Sequence, residues 1–284
     1  MSYRDEVLAD GPLAYWRFEE TSGSPTADET GNGNDGDVIG ANLDVDGAVG
    51  SGAAFDGTDD WINPGGPIYP DNQGAVSLEA FVYIPSVVGG TKVVLGLSSS
   101  DNNTHAILGM SDELDSTQRL FFDRRSSGTL TRVYAADFSI PLDTWVHIVG
   151  TTDASNNAAI YVQGVERATG TIQSSATTYD RSGIGVLNRG TGRVDWWPGR
   201  IDEVAVYDYE LSGARIQAHY DAAFATADPA NAYLIFRRTP STGEPFTPGV
   251  DTPVAILPSD QLTYNDTDLT IGTYDWQVFA RKAE

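Results

Sequence analysis

Short strand-like runs recur along the whole chain, and clusters of Gly, Pro, Asn, Asp or Ser separate many of them. They are Ala53 to Ile62, Val76 to Ile84, Thr91 to Leu97, His105 to Met110, Gln118 to Phe122, Thr131 to Tyr134, Trp145 to Thr151, Ala158 to Val162 and Gly183 to Leu187. A strand buries one face only when another layer covers it, so this punctuation predicts an all-β sandwich or barrel. One segment breaks the pattern. Ser212 to Phe224 reads as a helix, with Ser212 at the N-cap and Leu211 and Ile216 at the staple positions. Ile216, Tyr220, Ala223 and Phe224 form one apolar stripe, which predicts a helix folded back onto the last strand. Tyr3 to Leu13 reads as a short helix or arm, and Ala14 to Glu19 as a strand.

The last strand, from Gly199 to Leu211, poses a chemical problem. Strict alternation puts Asp202 on the same face as Val204 and Val206, which is the apolar one. A carboxylate there needs a hydrogen-bond partner, a counter-charge or a metal. The same alternation sends Asp202 and Glu203 to opposite faces, so they do not form a catalytic pair. Gly31 to Gly36 matches a dinucleotide fingerprint in spacing only. No helix pattern follows, and the segment reads as a loop of turn formers.

Composition narrows the function classes. The formal net charge is −23 over 284 residues, Lys92 and Lys282 are the only lysines, and there is no cysteine. Disulfides and thiolate chemistry are excluded. No basic cluster exists to hold phosphates, so neither nucleic acid nor an anionic membrane is an expected partner. No apolar run reaches the roughly 18 residues of a membrane span. Residues Met1 to Glu6 lack the apolar stretch of a signal peptide. An acid-rich, lysine-poor surface also resembles those of proteins from salt-loving organisms.

Seven pieces together resemble a laminin-G-like domain of the concanavalin A-like lectin/glucanase superfamily. They are Leu13 to Glu20, Asp28 to Gly36, Ala53 to Gly57 with Trp61, Ser77 to Val82, Trp145 to Val149, Ile160 to Gly164, and Gly199 to Val204 with Leu211 and Ser212. The resemblance implies a two-sheet antiparallel jelly roll over residues 1–225, closed by the C-terminal helix. Residues 226–231 read as a linker. The tail, 232–284, resembles part of a fibronectin type III domain: Tyr233 to Arg238 looks like a central strand, and Leu269 to Gly272 with Tyr274 like a tyrosine corner. Further strands are read at Pro253 to Leu257, Gln261 to Asn265 and Thr273 to Arg281. The tail is short for an independent β-domain, and completion by a neighbouring chain is expected.

The resemblance also implies sites. Similar domains place a calcium ion near the last strand, which nominates Asp28, Asn32 and Asp202 as ligands, with Asp59 and Asp60 in reserve; hard oxygen donors without Cys or His clusters suit calcium. Relatives bury the aromatic that precedes Gly199, here Trp197, which leaves Trp196 outward. Trp196 and Tyr69 are the nominated ligand-stacking aromatics. Hydrolases of the superfamily carry paired acids on one strand, but the nearest string, Glu113 to Gln118, ends in Gln where the second acid belongs. No catalytic residue is expected. Tyr3 to Arg17 resembles segments of tail and decoration proteins of tailed viruses. The expected function is therefore a non-enzymatic structural or binding protein at a virion surface. It would contact other virion proteins, attach to cell-surface glycans and assemble as a homo-oligomer such as a trimer. The alternatives are a secreted, extracellular carbohydrate-binding module and a glycoside hydrolase.

Overall fold

A computed structural model describes residues 2–69, 74–173 and 179–224, and beyond them the backbone of three strands at 233–238, 255–257 and 275–280. In chain order the elements begin with α1 (Tyr3–Ala9), β1 (Ala14–Trp16), β2 (Asp37–Ile39), β3 (Asn42–Asp46), β4 (Ser51–Asp56), β5 (Trp61–Asn63), β6 (Val76–Tyr83) and β7 (Lys92–Ser98). Next come β8 (His105–Ser111), β9 (Arg119–Ser126), β10 (Thr129–Tyr134), β11 (Trp145–Thr152), β12 (Asn157–Val162), β13 (Val165–Thr171) and β14 (Arg181–Ile184). Then follow β15 (Leu187–Arg189), β16 (Gly192–Val194), β17 (Pro198–Tyr207), α2 (Gly213–Phe224), β18 (Tyr233–Arg238), β19 (Ala255–Leu257) and β20 (Asp275–Ala280).

Two antiparallel sheets make the sandwich. The first runs β13-β12-β11-β6-β17-β4-β3, with β1 also paired to β17; the second runs β10-β9-β8-β7-β14-β5-β2. Between them lies one continuous core that includes Trp16, Phe55, Leu78, Val82, Leu108, Phe122, Ile148 and Trp197. Each fully buried side chain of this kind contributes about 1.5–3 kcal/mol. Alternation explains the membership: Leu78, Ala80 and Val82 point inward from β6, and Ser77, Glu79 and Phe81 point outward. The outward residues of the central strands β6, β11 and β17, among them Phe81, His147, Val149, Ala205 and Tyr207, are buried as well. Helices α1 and α2 supply the cover, through Tyr3 and Val7 from α1 and Ile216 and His219 from α2. Ser212 caps α2 as expected, its Oγ accepting from the Arg215 amide at 3.3 Å.

The all-β jelly-roll sandwich with a C-terminal helix is thus the observed architecture. Two run boundaries differ from expectation. Ala53 to Ile62 is two strands in different sheets, β4 and β5, because the chain turns at Gly57, whose φ of 78° favours glycine. Gly183 to Leu187 likewise divides into β14 and β15, and β15 pairs only with β16 in a separate hairpin. Contacts divide the chain into two compact units, Tyr3–Tyr220 and Asp221–Glu284, the latter grouped with the first two residues. In the second unit the described strands form a three-stranded sheet, β19-β18-β20. The predicted linker, Gln261 to Asn265 and the proposed tyrosine corner lie outside the described residues. Among the described residues no helix is long and apolar enough to cross a membrane.

Candidate functional site

The last strand does not alternate strictly. Asp202 pairs with Phe81 and Ala205 with Glu79, so β17 advances three residues while β6 advances two. This is a β-bulge, and Glu203 sits in it at φ 53°. Asp202 therefore shares the outer face with Ala205, not the core face with Val204 and Val206. The expectation that Asp202 and Glu203 point apart also fails, because Glu203 reaches Tyr15, the cross-strand partner of Ala205. Asp202 Oδ2 accepts the Ala48 and Val49 amides at 2.8 and 3.0 Å and so caps the β3–β4 turn. Glu203 accepts from the Tyr15 hydroxyl and from Arg17 at 3.1 Å. Burial pushes both acids upward. The Glu203 charge raises Asp202 further, and Arg17 restrains Glu203, which is pushed up to about 8.

The nominated calcium ligands are divided between two turns. Asp28 Oδ1 accepts from Tyr15 N, Thr30 N and Thr30 Oγ1, and its Oδ2 from both nitrogens of Asn34. Asn32 turns its amide nitrogen to the Leu13 carbonyl at 3.0 Å. No hydrogen bond joins either residue to Asp202 among the described residues. Of the three nominated residues, Asp202 alone has a buried side-chain atom without a partner, its Oδ1. The trio does not fit one shared ion, because the oxygens of Asp28 already hold the loop together. Asp56, Asp59 and Asp60 do bring carboxylate oxygens within 4.8 Å of one another. They also serve their own turn, with Asp56 accepting from Thr58 N and Asp60 from Asp56 N.

Sequence reading missed a buried polar hub on the outer face of the first sheet. Glu79 accepts from Tyr3 Oη at 3.2 Å and Tyr207 Oη at 2.9 Å, and it contacts His147 Nε2 at 2.7 Å and His219 Nδ1 at 3.0 Å. His219 Nε2 lies 2.9 Å from Asp10, which Arg215 also holds. Burial alone would raise Glu79, but the His219 charge and the two imidazole hydrogen bonds outweigh it and hold the carboxyl well below its ordinary range. Burial would lower His219, and Glu79 with Asp10 reverses that, raising it. These groups are sealed beneath the helices and pin α1 and α2 to β6.

The second sheet carries the accessible chemistry. On its outer face Arg132 stacks on Phe121 at 3.7 Å, holds buried Asp123 through Nε at 2.9 Å, and binds Glu113 at 3.0 Å. Both acids are thus committed to one guanidinium. At the β14–β5 end lies a polar cavity of about 440 Å³, lined by Trp61, Asn63, Gly65, Asp180, Arg181, Asn188 and Arg193. The β15–β16 hairpin brings in Asn188 and Arg193. Asn188 is fixed through its amide nitrogen to Ser182 O at 3.1 Å. The Arg193 guanidinium lies 4.5 Å over the Trp61 ring. Asp180 is held by Ser100 N at 2.8 Å and Ser100 Oγ at 2.7 Å. A planar aromatic, amides and guanidinium donors around a cavity this size suit a small polar ligand such as a sugar. A second, more apolar cavity of about 300 Å³ lies among loops that include Val87, Val88, Ile140 and Leu142.

The nominated aromatics are elsewhere. Tyr69 is 2% exposed, belongs to the core and donates to the Ala75 carbonyl, so it is not a rim aromatic. Trp197 is buried as expected; Trp196 is half-buried and lines neither cavity. Trp61 appeared in the sequence only as part of a family pattern. The one signal for the cavity was the Gly- and Arg-rich turn from Asn188 to Arg193.

A laminin-G-type family model, described as the concanavalin A-like lectin/glucanases superfamily, matches residues 56–217. Domain 4 of AbnA, a GH43 extracellular arabinanase from Geobacillus stearothermophilus, solved with arabinotriose, has a TM-score of 0.56 at 21% identity, with 74% of this chain and 98% of that domain covered. The binding domain of Paraclostridial Mosquitocidal Protein 1 gives 0.58 at 13% identity, with 83% and 59% covered. The botulinum neurotoxin serotype G binding domain gives 0.55 at 12%, with 80% and 57% covered. The chain spans nearly all of the arabinanase domain and under two thirds of the two toxin domains. No curated protein matches the chain.

Proposed function

We propose that this chain, which belongs to the concanavalin A-like lectin/glucanases superfamily, is a non-enzymatic glycan-binding module whose binding site is the Trp61–Arg193 cavity. The observation that carries the reading is the cavity itself, which is polar, walled by a tryptophan, and furnished with amide and guanidinium donors held in place by neighbours. Its size is within the range of small-molecule sites. The arabinotriose bound to the AbnA domain is a precedent for sugar binding on a similar sandwich. Against hydrolysis stand Gln118 in the place of a second acid and the tie of buried Asp123 to Arg132.

The setting is the surface of a virus particle, with the tail unit making contacts to other copies as a homo-oligomer. Its support is the likeness of Tyr3 to Arg17 to tail and decoration proteins. The second reading is a secreted carbohydrate-binding module, favoured by the near-complete coverage of the arabinanase domain.

The test is a glycan array with the full chain, followed by calorimetry on the best oligosaccharide. Trp61→Ala is expected to weaken binding at least about tenfold, and Asn63→Ala, at a half-exposed position, should weaken it without changing the melting temperature. Binding to no glycan, or binding unchanged in both variants, overturns the reading. New reducing ends that vanish in Glu113→Gln would make the chain an enzyme.

A further inference from the structure

Six of the 15 arginines of this chain are paired with acids among the described residues. Arg4, Arg17, Arg119, Arg132, Arg167 and Arg215 each pair with a carboxylate within 4.0 Å. Arg181 and Arg193 do not. Among the described residues the Arg181 side chain makes no hydrogen bond or ion pair, and its buried Nε has no partner. The exposed Arg193 guanidinium lies over the Trp61 ring, a contact that does not consume its N–H donors. Both line the same cavity. Its one acid, Asp180, has each carboxylate oxygen bonded to Ser100.

Two cations against one acid in a single cavity run counter to a net charge of −23. At low salt a net charge of this sign repels anions from most of a protein's surface. A buried donor left unpaired costs stability until an acceptor reaches it. The planar guanidinium fork fits a carboxylate with two parallel hydrogen bonds, which a neutral hydroxyl cannot match. Asn63 and Asn188 leave amide groups for hydroxyls beside it.

We propose that the cavity selects acidic sugars, a uronic or sialic acid residue whose carboxylate is taken by Arg181 and Arg193. This rests on the glycan-binding reading and goes further by naming the ligand class.

The experiment is titration calorimetry of the full chain with two matched pairs, methyl glucuronide against methyl glucoside and 3′-sialyllactose against lactose. At about 50 mM salt, where charges are weakly screened, the acidic member of at least one pair is expected to bind at least about tenfold tighter than its neutral partner. The gap should narrow at about 0.5 M salt. Arg181→Gln and Arg193→Gln should each erase most of that gap, read as the acidic-to-neutral affinity ratio; the Lys variants should restore part of it. Circular dichroism and melting curves identify any variant that misfolds, and salt titration of the unaltered protein keeps the test intact in that case. Equal affinity for acidic and neutral members overturns acid selection while the glycan reading survives. No binding to any of the four sugars or to an oligosaccharide array overturns both. Displacement of the acidic sugar by sulfate at equal concentration, with no neutral affinity at all, overturns the proposal in favour of a plain anion site.

Discussion

Gly199 shows what a single residue can fix. Its φ of 150° lies where side chains are rarely tolerated, and a Cβ there would collide with the Tyr83 carbonyl across the ladder. Only glycine lets β17 enter the sheet between β4 and β6 at that height. Gly199→Ala is expected to destabilise the fold by about 1–3 kcal/mol, read as the midpoint shift in urea. The bulge at Glu203 is the complementary case. A non-glycine residue at positive φ costs about 1–3 kcal/mol, and here the Tyr15 and Arg17 contacts hold it in place.

At the scale of elements, the helices are held by chemistry more than by apolar contact. Glu79, His147, His219, Tyr3 and Tyr207 join β6, β11, β17, α1 and α2, and Asp10, Arg215 and Glu6 face the same cluster. The pH response follows from the signs. Glu79 is depressed, so its contribution is present above the unfolded carboxyl value of about 4.3 and is lost as pH falls through the folded one. His219 is raised, so its contribution is full below about 6.5 and is lost as pH rises through the folded value. The stability difference between the unaltered protein and Glu79→Gln should therefore peak between those limits and shrink on both sides. His219→Gln should abolish the alkaline decline. Melting temperature against pH checks both.

The same elements show what the sequence made legible. Alternation in Ser77 to Val82 and in Trp145 to Val149 located β6 and β11 and separated their inward from their outward residues. It could not say that two helices cover the outward face, so Glu79 and His147 looked unremarkable. Strict alternation then misplaced Asp202, because an extra residue in a strand leaves no mark in the pattern of apolar side chains. The cavity was unreadable for another reason. Its residues come from β5, β14, the β15–β16 hairpin and their flanking loops, and only the folded sandwich brings them together.

For the whole molecule, the proposed function assigns recognition to the unit Tyr3–Tyr220 and assembly to the unit Asp221–Glu284. The cavity lies wholly in the first unit. Among the described residues β19 and β20 are edge strands, and open edges invite pairing with another chain. Cutting the chain near Asp228 is expected to give a monomer by light scattering that keeps its glycan affinity. An unchanged oligomer would assign assembly to the sandwich.

The β15–β16 hairpin carries a last consequence. It pairs only with itself, yet it contributes two residues of the cavity wall and is anchored by Leu187 against Val93, Ile107 and Phe121. The sandwich ladders do not pass through it. On the proposed function, substitutions at its tip would alter the choice of ligand without breaking a ladder of either large sheet. Related chains with different ligands should then differ first in this short hairpin.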